Sequence, residues 1–286
     1  MAMNRASFAK LLEPGLNTLF GLEYDSYPSE YEAVFSSNTS QKAYEEDVLL
    51  AGFGAAPTKN EGASVSYDDA GQQWTARYQH ETVALAFSIT EEAEEDGQYG
   101  SIASRYTKAL ARSMSSTKEI KAANVLNNAT SANGGDGTTL LSTSHPTQNG
   151  NQSNTLATAA DLSETSLESI LIQIADMKDE RGLRVAAQGT QLIIPTAYTF
   201  VAERLLESQL RTGTADNDIN AIKSGGYLPK GYHVMRRLTD ADQFFVQTDV
   251  PDGLKYFTRS AMRKGMEGDF ETGNIRYKCR ERYSFG

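Results

Sequence analysis

The chain has 286 residues, 39% of them hydrophobic, with 27 Lys/Arg against 37 Asp/Glu for a net charge of −10, and its mean hydropathy is −0.48. That is enough for one large domain or two modest ones with a real core. No apolar run approaches the ~20 residues that cross a bilayer, and the acidic balance argues against a protein built to grip nucleic acid.

The N-terminus MAMNRASFAKLLEPG has no apolar h-region and no small-residue cleavage site, so no secretory signal is expected. Residues 1–40 then carry scattered aromatics (Phe20, Tyr24, Tyr27, Tyr31, Phe35) and breakers at Pro14-Gly15 and Pro28, with no sustained period. Side chains without a period cannot face one local core. The segment reads as an arm that lies on a neighbouring molecule rather than wrapping its own body.

Residues 61–90 alternate. Trp74, Ala76 and Tyr78 form one period-two set, Val83, Leu85, Phe87 and Ile89 another, and DDAGQQ before Trp74 is a turn signal. The expectation is a long β-hairpin with a polar tip at TKNEG, residues 58–62. A two-stranded hairpin is marginal alone in water, so it needs support. His80 is expected on the solvent side of a strand.

EEAEEDG follows from Glu91, placing Glu91, Glu92, Glu94 and Glu95 just before a helix, where acids favour the dipole. One long helix is expected from Ser101 to Asn128, with a stripe of Ile102, Tyr106, Ala109, Leu110, Ser113, Met114, Thr117 and Ile120. At 1.5 Å per residue it measures roughly 42 Å. Its small residues would let a sheet lie close.

After SANGGDGTT, the stretch DLSETSLESILIQIADMKDERG reads as an amphipathic helix. Ser163 is its N-cap, Leu167, Ile170, Leu171, Ile174 and Met177 its apolar stripe, and Gly182 its end. QLIIP is a short buried strand, and Pro195 opens the next helix. GYHVMRRLTDADQFFVQT gives two strands around Thr239 to Asp242. LKYFTRSAM and IRYKCRERYSF give two more, joined near Gly265 to Gly273. There is no internal repeat and no βαβ rhythm, so the class is α+β.

Charge is unevenly spread. Residues 254–286 hold eight Lys/Arg and four acids, a net +4 that leaves −14 for the rest. A basic end on an acidic body suits head-to-tail contacts between identical copies, although a solvated mixed-charge strand pair explains it equally well.

Candidate chemistry is thin. The single cysteine, Cys279, excludes an internal disulfide and a thiolate zinc cage and suggests a reducing compartment. The stretch DGTTLLSTSHPTQNGNQSN, 136–154, offers His145 beside serines and Asp136. No G-x-S-x-G elbow accompanies it, and the composition is that of a loop, so a loop hydrogen bond is expected of His145. His80, His145 and His233 have no ligand spacing, and Asp216-Asn217-Asp218 and Asp240-Ala241-Asp242 lack the rest of a calcium loop. No P-loop and no G-x-G-x-x-G is present. A structural or assembly protein without catalytic residues, cofactor or metal is the expectation.

The order of parts resembles the major capsid protein of tailed bacteriophages, with the Hong Kong 97-type fold, and within it the Mu-like head-subunit branch. The resemblance rests on DGTTLLSTSHPT at 136–147 with Asn154, ADLSETSLESILIQIADMKDERGLRV, QLIIPTAYTFVAERLLES, Asn217 to Asn220, and RRLTDADQFFV at 236–246. Leu141 stands where that branch more often has Phe, and the final strand ends earlier than the family pattern suggests.

The resemblance implies an N-terminal arm at 1–41, an extended β-hairpin loop at 42–92, a peripheral domain with a long spine helix at 93–134 and 250–286, and an axial domain at 135–249. It implies a structural subunit of an icosahedral head, assembled in the host cytoplasm into pentamers and hexamers that enclose double-stranded DNA without sequence-specific binding. Scaffolding, portal and decoration proteins are the implied partners, and no membrane is involved. The same fold serves cellular nanocompartment shells around a cargo enzyme, which is the alternative. Candidate inter-subunit residues are Phe20, Tyr24, Tyr27, Tyr31, Lys59, Trp74, Arg77, Glu91, Glu92, Glu94, Glu95, Arg263 and Lys264.

Overall fold

The computed structural model describes residues 5–90, 92, 99–211, 218–269 and 272–286. Its elements, in chain order, begin with α1 (Arg5–Asp25), β1 (Ser36–Thr39), β2 (Tyr44–Ala51), β3 (Gly71–Gln79), β4 (Glu81–Ile89) and α2 (Tyr99–Asn127). They continue with β5 (His145–Thr147), β6 (Gly150–Gln152), α3 (Glu164–Ala175), β7 (Gly189–Ile194), α4 (Thr199–Glu207) and α5 (Ala221–Gly225). The chain closes with β8 (Tyr232–Val234), β9 (Phe245–Thr248), β10 (Lys255–Gly268) and β11 (Ile275–Phe285). The chain divides into two compact units. One is Met1–Tyr44, Tyr78–Ala122 and Leu254–Gly286; the other is Glu45–Arg77 and Ala123–Gly253. Among the described residues no helix is long and apolar enough to cross a membrane.

The first unit is built on a four-stranded sheet of order β1-β10-β11-β4. β11 pairs antiparallel with both neighbours, from Ile275↔Ile89 to Tyr283↔Glu81 on one side and from Gly268↔Ile275 to Tyr256↔Phe285 on the other. Strand alternation sorts its side chains: Tyr277, Cys279, Glu281 and Tyr283 are buried, whereas Arg276, Lys278 and Arg280 are exposed. The inward face meets α1 and α2 in a core of Leu16, Phe20, Ile89, Ala103, Leu110, Ala111, Met114, Tyr277 and Cys279.

Several expectations are corrected here. The segment before Tyr27 is a helix with Pro14 inside it. Leu16 and Phe20, four residues apart, face this unit's own core, and Tyr31, Val34 and Phe35 are buried as well. The proline and the exposed Leu22 mask the local period at 16 and 20. The buried face of α2 keeps Leu110 and Met114 of the expected stripe but also takes in Ala103, Thr107, Ala111 and Ala122, whereas Tyr106 and Ile120 are exposed.

The hairpin is also different. β3 pairs with β2, not with a strand at 61–67, and the 19 residues 52–70 between them contain no strand. β4 leaves that pair to join β11, because its Val83, Phe87 and Ile89 pack on the core beside Tyr277. His80, at the β3–β4 junction, is buried instead of solvent-facing. Its ring nitrogens lie 3.0 Å from Ser284 Oγ and 2.9 Å from Ser40 Oγ.

The second unit has a three-stranded sheet of order β8-β7-β9. β8 runs parallel to β7 and β9 antiparallel. β7, α4, α5 and β8 therefore form a parallel crossover, which corrects the expected absence of a βαβ unit. The all-buried run Leu192–Ile194 is what a central strand covered on both faces requires. Leu162, Leu167, Leu192, Ile194, Ala202, Leu206, Ile222 and Leu228 form its core. Ser163 caps α3 in a reciprocal pair with Ser166. The helix stops at Ala175, and Gly182, at φ +86°, lies in the turn beyond.

Candidate assembly surface

In the first unit the charged groups nearest the core form a cage. Lys118 Nζ lies 2.9 Å from Glu281 Oε2 and donates to Tyr24 Oη at 3.0 Å. The rings of Tyr24, Tyr31, Tyr256 and Tyr283 surround it, with centroids 5.3–5.9 Å away. Burial opposes the ammonium, but the Glu281 carboxylate and the tyrosine oxygens outweigh it, so Lys118 is held above its ordinary value. Burial pushes the Glu281 carboxyl up, and Lys118 offsets that only in part. Nothing in the sequence marks either residue, because a lysine on a helix reads as solvent-facing.

The expected contact residues divide. Phe20, Tyr24 and Tyr31 are spent on this unit: Phe20 is 1% exposed, and Tyr24 and Tyr31 face Lys118. Lys264 donates to Asn17 O at 2.9 Å and sits 4.8 Å above the Phe20 ring. This corrects the expectation that the aromatics of the arm find their core on a neighbour. Tyr27 keeps a third of its surface and is held by Arg112, which donates to its hydroxyl at 2.8 Å.

The outward sheet face is basic. Arg276, Lys278, Arg280 and Arg282 occupy successive outward positions of β11, and Arg263 lies across from Arg280 on β10. Arg276 pairs with Asp269 at 2.5 Å. Among the described residues no carboxylate is paired with Arg263, Lys278, Arg280 or Arg282. The neighbouring outward positions of β4 are small: Thr82, Ala84, Ala86 and Ser88. The sequence signal for this row is the alternation IRYKCRERY itself, in which every second residue is a cation.

In the second unit the β2–β3 pair is anchored at its own residues. Trp74 packs over Gly135, where a Cβ would come within 2.5 Å of the indole. Arg77 pairs with Glu46 at 2.6 Å. Asp68 accepts from Gly54 N at 2.8 Å and pairs with Arg181 at 2.5 Å, and these donors hold its carboxyl below the usual range. Between the strands large apolar side chains face solvent: Phe53 at 61%, Val65 at 62% and Tyr67 at 97%. Lys59 and Glu92 are exposed. Glu91, Glu94 and Glu95 lie outside the described residues, as do Asp216 and Asn217.

The stretch after α2 is a braced loop. His145 Nδ1 donates to Asp136 Oδ2 at 2.6 Å, and Thr138 Oγ1 donates to the same oxygen at 2.6 Å. Burial works to raise the Asp136 carboxyl, yet these two donors bring it below its ordinary value. Asn154 accepts from Ser142 N at 2.9 Å and donates to Leu140 O at 2.7 Å, which closes the loop. Among the described residues no serine hydroxyl bonds to His145 Nε2, so the dyad lacks a nucleophile. The hydrogen bonds among Asp136, Thr138 and His145 position the loop.

The fold resembles the bacteriophage JBD30 capsid, with a TM-score of 0.57 and 13% identity over 74% of this chain and 92% of that one. It resembles the Mycobacterium phage Adephagia structure at 0.54, with 10% identity over 91% and 83%. It also resembles the virus-like particle of Pyrococcus furiosus at 0.53, with 12% identity over 95% and 93%. The fold is therefore of the Hong Kong 97 type. No curated protein matches the sequence. A family model described as "Phage capsid protein" matches residues 72–286, and the chain accordingly belongs to the phage capsid protein family, as a structural subunit of a viral head.

Proposed function

We propose that this chain is the major head subunit of a tailed bacteriophage of the Mu-like branch, which assembles into pentamers and hexamers and closes an icosahedral shell around double-stranded DNA. The observation that carries the reading is the family match over residues 72–286. The apolar side chains exposed between β2 and β3 support it, since an isolated subunit gains nothing by holding Phe53, Val65 and Tyr67 in water. In this reading 42–92 is the extended loop, 93–134 and 250–286 the peripheral domain with α2 as spine, and 135–249 the axial domain. Residues 1–41 are the arm, which folds partly onto its own unit. Tyr27, Lys59, Arg77, Glu92 and Arg263 are the expected contact residues that are exposed, Tyr27 held by Arg112 and Arg77 by Glu46. Scaffolding, portal and decoration proteins complete the head, which assembles in the host cytoplasm. The DNA is enclosed without sequence readout, and the subunit carries no catalytic role.

A second reading, a cellular shell around a cargo enzyme, is supported by the likeness to the Pyrococcus furiosus particle. Light scattering with negative-stain microscopy of the expressed protein tests the assembly. Megadalton shells or five- and six-membered rings are expected, and a monomer under all conditions, scaffold supplied, would overturn the proposal. Shells purified with one specific protein instead of DNA would favour the second reading.

A further inference from the structure

We propose that the Asp68–Arg181 pair is a clasp that holds the 52–70 segment down on its own unit in the free subunit, an autoinhibitory contact that opens before the segment takes part in assembly. Only its consequence for assembly rests on the shell-subunit reading. Three observations carry it. First, the platform is fixed. Arg181 N and Leu183 N both donate to Asp179 Oδ1, at 2.9 and 2.8 Å, which sets the turn that carries Arg181. Gln152 of β6 ties that turn to the β5–β6 hairpin, donating to Asp179 O at 3.2 Å and accepting from Lys178 N at 3.3 Å. One guanidinium nitrogen of Arg181 donates to Gln148 Oε1 at 2.9 Å, and the other lies 2.5 Å from Asp68 Oδ1. A planar fork with one side already held presents the other in a set direction.

Second, burial does not hold the segment. Every residue from Ala55 to Ala70 is exposed, and a stretch that buries no apolar surface opens at low cost. Asp68 also draws the ends of the segment together, because its Oδ2 accepts from Gly54 N at 2.8 Å. Breaking the bond to Arg181 therefore frees the segment from the platform while the Gly54–Asp68 closure survives. Third, the pair is open to solvent on both sides, 25% at Arg181 and 46% at Asp68. Such a pair stabilises little and is screened by salt, so it delays opening without preventing it. Tyr67, next to the clasp, is 97% exposed, and Phe53 and Val65 are exposed as well. The closed segment thus keeps in water apolar surface that opening lets it bury elsewhere. The Gly54 and Arg181 donors hold the Asp68 carboxyl below the usual carboxylate range. The clasp is therefore complete above that range and is lost only as the pH falls through the depressed folded value. At near-neutral pH its release is by salt.

The test is trypsin cleavage after the exposed Lys59 in the unassembled full chain at low ionic strength, followed by mass spectrometry. Asp68→Asn keeps an acceptor for Gly54 N and removes the charge. Its cleavage after Lys59 should be about two- to fivefold faster than in wild type, since the rate follows the open population. Arg181→Gln should match it, and the two changes together should add nothing to either alone. Salt at about 0.5 M should bring the wild-type rate up to that of the variants. Asp68→Asn should also shorten the lag of assembly in light scattering by a similar factor, with shells of wild-type size. Equal cleavage of wild type and both variants would overturn the clasp. So would slower assembly of a variant whose segment opens faster, since the pair would then serve the shell instead of restraining it. Faster cleavage in a chain that never assembles would leave the clasp standing and overturn the shell reading.

Discussion

Lys118→Met removes the cation from the cage and keeps most of its volume. Glu281 would then be left 3% exposed with no partner for either carboxylate oxygen, because Oε1 has none even in the intact cage. Removing one member of a buried pair costs about 3–5 kcal/mol, a large share of the 5–15 kcal/mol that holds a typical domain. With a urea dependence of about 2 kcal/mol per molar, the midpoint should fall by roughly 2 M. The assay is urea unfolding followed by near-ultraviolet circular dichroism in the tyrosine band, since Trp74 belongs to the other unit. The pH dependence is the sharper readout. Burial already raises the Glu281 carboxyl, and loss of the lysine raises it further. The folded state then binds a proton more tightly than the unfolded state, so the variant should recover stability as the pH falls from 7 towards 5. In the wild-type protein the raised Lys118 contributes fully below its unfolded value of 10.5, and that contribution is lost only as the pH climbs through the higher folded value. Lys118→Met/Glu281→Leu should regain most of the loss. A single variant within 1 kcal/mol of wild type, with no dependence on pH, would refute the cage as a stabilised ion pair.

Four further outcomes are expected. Deleting residues 1–35 removes Leu16, Phe20, Tyr31, Val34 and Phe35 from the core, roughly 8–15 kcal/mol of burial; the product should be unfolded by circular dichroism, and a folded, assembly-deficient body would contradict the packing. Gly135→Ala drives a methyl into the Trp74 ring and should cost about 1–3 kcal/mol, read as a shifted indole emission and an earlier melt. Asn220→Ala removes the N-cap of α5 and the donors to Leu205 O and Ser208 O; a loss of about 2–3 kcal/mol is expected in thermal unfolding. Burial pushes the Cys279 thiol up to about 11, so a thiol reagent should label native protein far more slowly than protein in denaturant, and equal rates would contradict its place in the core.

What the sequence determined was whatever depends on short-range periodicity or local chemistry. The alternation of IRYKCRERYSF placed β11 and its cation row, Ser163 marked the start of α3, and the long helix over 101–128 coincides with α2 to within a residue at its end. The ordered motifs from Asp136 to Val246 carried the family. Tertiary structure decided which face of each element was buried and which strand met which. Hydrophobicity placed Tyr106 and Ile120 inward on α2, but both are exposed, and Ala103, Thr107 and Ala111 are buried beside Leu110 and Met114. β3 looked like the partner of a strand just before the DDAGQQ turn, yet it pairs with β2, while β4 joins β11 beside Tyr277. Phe20 looked like a residue waiting for a neighbour until its own unit supplied Met114 and Tyr277. Lys118 and Glu281, 163 positions apart, could be seen as a pair only once α2 crossed β11. Long-range pairing is set by burial and charge that the whole fold must satisfy together, and no window of sequence contains both partners.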